Sequence, residues 1–324
     1  MRDVRPPLPA EPGGLHDRAL GAYLGLALGD ALGATVEFMT PREIAQRFAA
    51  QGGVHRHIIG GGWLKLPPGQ VTDDTTMCLA LGDALLQGAA QGRPYDTTLI
   101  ADAYVAWWRG KPVDCGNTCR RGIQRYIRHG TLEGPQQDSD GGNGALFEHV
   151  SLAQAHVTHH HPQSDAAVLG LGRLLRAQLA GAPAIADQAD AWVTAHPVFR
   201  FRPYPRRASG YVVDTVQTVL HCFTAHDDFE AAMLAAVNMG DDADTTGALV
   251  GMLAGARCGA QALPRRWLNR LDRGVLRVIT EQTSALLALA PALPSTTTAL
   301  GAQPPEEPRH AALRLPLQHL QPGL

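Results

Sequence analysis

The chain has 324 residues, 45% of them hydrophobic and 18% charged, and carries a formal net charge of −2. That length supplies enough apolar surface for one large domain or two small ones. The near-neutral balance excludes a basic nucleic-acid footprint and a polybasic membrane anchor, so function has to be sought in local sites.

Residues 1–13 are proline-rich, and the opening MRDVRPPLPAEPGG lacks the apolar core of a signal peptide. The first helical segment places Leu20, Tyr23, Leu24, Ala27, Leu28, Ala31 and Leu32 at 3.6-residue spacing. Its apolar run LGAYLGLALG ends at Asp30, too short to span a bilayer. Gly21, Gly25, Gly29 and Gly33 recur at every fourth position. Each costs about 1 kcal/mol in a helix relative to alanine, so the stripe predicts that the backbone of another helix lies against this face. The segment GDALGATVEF then delivers an acidic residue, Glu37.

The next element is QVTDDTTMCLALGDALL, in which Met77, Leu81, Ala84 and Leu85 continue the helical pattern behind Thr72, Asp73 and Asp74. Further along, VDCGNT contains Asp114 and Asn117, ahead of a basic helical patch of Arg120, Arg121 and Arg125. A turn at Gly142-Asn143-Gly144 and three consecutive histidines, His159 to His161, follow. Three adjacent imidazoles diverge on any regular backbone and cannot all serve one ion. Val212, Val216, Val219, Leu220 and Phe223 mark another helix, and the last strong one follows NMGDDADTTGALVGMLAGA. From Pro291 onward proline-rich sequence excludes regular structure. One domain over 14–290, between flexible tails at 1–13 and 291–324, is the simplest organisation. Period-two alternation is scarce, so the domain is expected to be all-α.

Five cysteines, Cys78, Cys115, Cys119, Cys222 and Cys258, form no Cys-x-x-Cys pair. This argues against a disulfide framework or zinc ribbon and for a cytoplasmic protein. The two acidic clusters carry the chemistry. One aspartate or threonine is enough to cap a helix, at about 1 kcal/mol. Adjacent carboxylates beyond that repel one another and call for a neutralising cation, yet neither segment offers a lysine or arginine nearby. A divalent metal would fill that role. Oxygen donors without histidine or cysteine select hard ions, Mg²⁺ or Mn²⁺, and this many carboxylates could hold two.

The segments GDALGATVEF, VTDDTTMCLAL and NMGDDADTTGALVGMLAGA resemble the three characteristic stretches of the ADP-ribosylglycohydrolase family. VDCGNTCRRGIQRYIRHGTLEGP, GGNGAL, QAHVTHHHPQSDAA, SGYVVDTVQTVLHCF and LPRRW are similar to its bacterial branch that reactivates dinitrogenase reductase. The resemblance runs from about Gly21 to Trp267. It implies a single orthogonal multi-helix domain with a dinuclear Mn²⁺ or Mg²⁺ cleft that hydrolyses the bond between ADP-ribose and an arginine side chain.

By that resemblance the metal ligands fall on Thr72, Asp73, Asp74, Asp242, Asp244 and Thr245, with Asp241 outside the set. Asp114 and Glu37 are the catalytic candidates. His159, Asn117, Asn143, Gly144 and Tyr211 are expected to contact the ADP-ribose, Tyr211 by stacking. The implied partners are an ADP-ribosylated protein, a PII signalling protein and a membrane to which the enzyme is recruited peripherally; the default oligomeric state is a monomer. The stretch LFEHVSLAQAHVTH departs from the family's longer pattern, which puts the cleft wall at Phe147 to Ser151 in question. A non-catalytic ADP-ribose-binding regulator and a different dinuclear-metal hydrolase therefore stay open as alternatives.

Overall fold

The computed structural model describes residues 11–136 and 152–289. The described residues fold into α-helices and short 3₁₀ turns, without a β-strand. In chain order the helices are α1 Leu15–Gly33, α2 Pro41–Arg47, α3 Asp73–Ala90, α4 Thr97–Arg109, α5 Asn117–His129, α6 Leu152–Ala155 and α7 Pro162–Leu179. They continue with α8 Ile185–Ala195, α9 Val212–Ala225, α10 Phe229–Val237, α11 Ala243–Cys258, α12 Arg265–Leu268 and α13 Arg273–Leu289. The all-α expectation is met. The proline-rich stretch from 291 and most of the N-terminal one lie outside the described residues.

The core is organised around α1 and α11. Every residue of α11 from Ala243 to Ala256 is buried, and α1 is buried from Leu20 to Gly33 apart from Tyr23. Helices buried all round have no polar face to display, which is why their sequences are rich in Ala, Gly and Leu rather than strongly amphipathic. The two run antiparallel with backbones in contact. A methyl group built on Gly25 would lie 2.1 Å from the Gly251 carbonyl oxygen, and one on Gly29 would lie 2.1 Å from that of Gly247. The glycine stripe is thus explained by packing.

Around this pair α3, α7, α9, α10 and α13 complete the main core, which includes Leu24, Leu28, Leu171, Val216, Phe223, Leu249 and Ile279. A smaller cluster under α3, α4 and α5 contains Met77, Leu81, Ile100, Tyr104 and Ile123. It supports the side of the molecule from which α3 and the following loop approach α1. The surface helices begin with ordinary caps. Thr40 and Glu43 form a capping box at α2, Asp96 caps α4 and Asp228 caps α10.

Candidate active site

The antiparallel pairing sets up the site. Gly33 at the end of α1 packs on Ala243 at the start of α11, so the turn after α1 meets the acidic entrance to α11. One carboxylate oxygen from each of Glu37, Asp242 and Asp244 falls within 4.8 Å of the others. Reciprocal backbone bonds fix this junction: Phe38 N–H donates to the Asp241 carbonyl (2.7 Å) and Asp241 N–H to the Met39 carbonyl (2.8 Å). Asp241 itself is exposed at a corner with φ of 53°. It serves the turn and does not cap α11.

The entrance to α3 is attached by Asp30, which is fully buried in α1. The Thr72 amide donates to Asp30 Oδ1 (2.9 Å) and Oδ2 (3.0 Å), and the Thr75 amide donates to Oδ2 (3.1 Å). This brings Asp73 and Asp74 to the same place. Asp73 Oδ2 in turn accepts from the Gly116 amide (3.0 Å), anchoring the loop after α4. In that loop Asp114 Oδ1 accepts from the Cys115 amide (2.7 Å). Four segments far apart in sequence thereby converge on one acidic centre.

The simple capping explanation fails. Thr72 and Asp242 occupy the N-cap positions of α3 and α11, yet neither side chain makes a capping hydrogen bond. Removing these carboxyls from water disfavours the charged form, and their mutual repulsion adds to it. Burial is the larger cause in each case. Glu37 is pushed up to about 8, with Asp242, Asp114 and Asp73 contributing repulsion. Asp73 is pushed up to about 7, with repulsion from Asp114 and Asp30. Asp30 rises to about 6, its hydrogen bonds from Thr75 and Thr72 offsetting part of the burial effect. Asp74 and Asp244 are both raised well above the usual carboxylate range, first by burial. Repulsion from Asp73, Asp30 and Asp242 adds to it at Asp74, where a hydrogen bond from Thr245 opposes it, and repulsion from Asp74, Glu37 and Asp242 adds to it at Asp244.

Three buried oxygens here, Glu37 Oε2, Asp74 Oδ2 and Thr72 Oγ1, have no hydrogen-bond partner. Buried polar atoms are ordinarily satisfied, so two unpaired carboxyl oxygens and an unpaired hydroxyl in this acidic neighbourhood fit cation coordination. The donors are carboxylate and hydroxyl oxygens only, the set suited to Mg²⁺ or Mn²⁺.

The other expected residues are placed as follows. Thr245 lies in the first turn of α11, its amide donating to Asp244 Oδ1 (2.9 Å). His159 is buried, with Nδ1 3.0 Å from Thr158 Oγ1, and burial, reinforced by Arg121, lowers its pKa to about 4. It is a neutral imidazole at physiological pH. Thr158 does not cap the helix that follows; His161 does, accepting from the Gln163 amide (3.2 Å). Asn117 opens α5 at the surface, with Oδ1 accepting from Arg120 (2.6 Å). Tyr211 is half-exposed, and its hydroxyl donates to Gln163 Oε1 (2.5 Å), linking the starts of α9 and α7. Its neighbour Gly210 lies against the acidic centre, since a methyl there would be 3.6 Å from Asp242 Oδ2. Asn143, Gly144 and the shortened stretch from Phe147 to Ser151 lie outside the described residues.

Sequence reasoning missed Asp30. Its signal was present: an aspartate closing the apolar, glycine-striped run LGAYLGLALG needs a buried partner set.

The ADP-ribosylglycohydrolase family model matches residues 11–294. The ADP-ribosyl-[dinitrogen reductase] glycohydrolase of Rhodospirillum rubrum is 50% identical over 294 residues, covering 85% of this chain and 97% of its own length. The ADP-ribosylarginine hydrolase Tri1 of Serratia proteamaculans is 33% identical, with 79% and 75% covered. Among solved structures, a chain of an ADP-ribosylglycohydrolase-related protein complex superimposes with a TM-score of 0.71 at 35% identity, over 85% of this chain and 98% of that one.

Proposed function

Because the chain belongs to the ADP-ribosylglycohydrolase family, we propose that it is a metal-dependent hydrolase that removes ADP-ribose from an arginine side chain of a modified protein, with dinitrogenase reductase as the target. The observation that carries this reading is the convergence of buried, charge-disfavoured carboxylates with unpaired oxygens at the entrances to α3 and α11. The target comes from the half-identical Rhodospirillum relative, and the arginine linkage is also supported by the two ADP-ribosylarginine hydrolases among the relatives.

In this reading Thr72, Asp73, Asp74, Asp242, Asp244 and Thr245 hold two divalent cations, Mn²⁺ or Mg²⁺. Bound there, such ions would supply Lewis-acid chemistry, orienting ribose hydroxyls or polarising a water molecule. Asp30 acts one layer out: by holding the Thr72 and Thr75 amides it fixes the direction of the α3 donors.

Hydrolysis breaks the bond between C1″ of the ribose and the guanidino nitrogen, while water supplies oxygen to C1″ and a proton to the leaving guanidine. Asp114 contacts the guanidinium and the positive charge that develops at C1″. Glu37, buried beside Asp242 and Asp244, is placed to hold and return the proton. His159, a neutral imidazole, offers hydrogen bonds to the ADP-ribose without adding charge. Tyr211 and Asn117 complete the nucleotide-facing wall, and Asn143 and Gly144 are assigned to ADP-ribose contact through the family resemblance. Regulation by a PII protein and peripheral membrane recruitment belong to the same reading through the family resemblance. No helix of the described residues is long and apolar enough to cross a membrane.

The test is to offer the enzyme matched proteins modified on arginine and on serine and to quantify free ADP-ribose together with the regenerated side chain. The reading expects release from arginine. Bound metal with no release from any linkage would instead favour a regulator that binds ADP-ribose.

A further inference from the structure

A second cluster of ligating side chains lies outside the acidic centre. Glu133, in the turn after α5, His156, after α6, and His160, ahead of α7, each place one donor atom within 4.8 Å of the others'. His156 Nδ1 is 3.0 Å from Glu133 Oε1, and His160 Nδ1 is 3.6 Å from the same oxygen. The two imidazoles stack with ring centroids 3.9 Å apart. His156 also has an outer oxygen partner, Asp165 Oδ1, 2.9 Å from Nε2, while the Gly134 carbonyl lies 2.6 Å from His160 Nδ1.

A ligating histidine characteristically donates its other ring N–H to a carboxylate or a backbone carbonyl, which fixes its tautomer and its direction. His156 has such a partner in Asp165, whereas in His160 the Gly134 carbonyl takes the same nitrogen, Nδ1, that faces Glu133. Two imidazoles and a carboxylate form the donor set that Zn²⁺ and related borderline ions take in tetrahedral geometry, unlike the oxygen-only centre.

We propose that Glu133, His156 and His160 form a separate site for a Zn²⁺-class ion, with Asp165 orienting His156 and water filling the open position. The ion takes the place of the proton that His156 shares with Glu133, and His160 turns one ring nitrogen onto it. Glu133 and His156 lie on either side of residues 137–151 in the chain, and the Gly134 amide already donates to the His156 carbonyl (3.2 Å). A bound ion would clamp this crossing. It would thereby steady the segment that carries His159 on its way into α7.

The test uses Co²⁺ as the probe, added to full-length protein in a large excess of Mg²⁺. Any Co²⁺ that displaces Mg²⁺ from the oxygen-only centre is octahedral and nearly colourless, so the tetrahedral band reports the histidine site alone. The site predicts about one equivalent of Co²⁺ with the strong visible absorption of tetrahedral coordination. His160→Gln abolishes that band, and Glu133→Gln weakens Co²⁺ binding at least tenfold. Far-UV circular dichroism checks that both variants keep the helical fold. Weak, unsaturable uptake without the band, or a band unchanged in both variants, overturns the proposal.

Discussion

Glu37→Gln tests the electrostatics of the acidic centre without any assumption about turnover. In the folded, metal-free protein Glu37 is pushed up to about 8 from an ordinary 4.5, first by burial and then by its carboxylate neighbours. A raised acid pKa means that the folded state binds the proton more tightly than the unfolded chain. The cost is therefore absent below about pH 4.5, grows between about pH 4.5 and 8, and stays constant above. At about 1.4 kcal/mol per pH unit, that gap corresponds to about 5 kcal/mol. This is a ceiling, because part of it is repulsion shared with Asp242 and Asp114. Glutamine keeps the shape and cannot ionise. In EDTA, urea denaturation at about pH 5 and about pH 9 should show wild type losing roughly 3–5 kcal/mol more than Glu37→Gln across that interval. Adding Mn²⁺ should restore most of the wild-type loss, because an ion that binds only the folded state stabilises it. Equal losses in wild type and variant would refute the account of a charge-frustrated centre.

Three further outcomes follow from the same geometry. Asp30→Asn should weaken Mn²⁺ binding by about 10–100-fold in a calorimetric titration, because it loosens the Thr72 and Thr75 amides while removing no proposed ligand; unchanged affinity would mean that α3 is oriented by something else. Gly25→Ala places a methyl 2.1 Å from a carbonyl oxygen of α11. It should cost at least about 3 kcal/mol in chemical denaturation, the upper range for overpacking, since backbone cannot rotate out of the way; a loss below about 1 kcal/mol would show that the two helices slide freely. His159 stays neutral down to about 4. The rate profile should therefore show no imidazole inflection between about pH 5.5 and 7.5, whereas an inflection near 6.5 that disappears in His159→Gln would contradict its burial.

The features most legible in the sequence were those compressed into short segments. The glycine stripe of α1 announced a close helix because glycine has no other reason to recur there, and α11 supplies it. The two acidic runs stood out because one cap does not need so many carboxylates, and the absent capping bonds at Thr72 and Asp242 agree with that argument. Other features depended on contacts between distant segments. Asp30 reads as an interruption of an apolar run until Thr72 and Thr75, more than forty residues away, are found bonded to it. The Asp73 bond to the Gly116 amide, which places Asp114, has no local pattern at all. Likewise the three consecutive histidines drew attention as a run, whereas His160 finds its neighbours in His156 and Glu133.

The central claim is that the acidic centre between α1, α3 and α11 is a metal-dependent hydrolytic site. It is tested most directly by measuring free ADP-ribose released from an arginine-ADP-ribosylated protein with Mn²⁺, with EDTA, and by Asp244→Ala with Mn²⁺. The account predicts release with Mn²⁺, its loss in EDTA with recovery when Mn²⁺ is returned, and at least about a hundredfold lower rate for the variant, the scale on which a misplaced group slows an enzyme. Release that persists in EDTA, or an Asp244→Ala variant as fast as wild type, would contradict it.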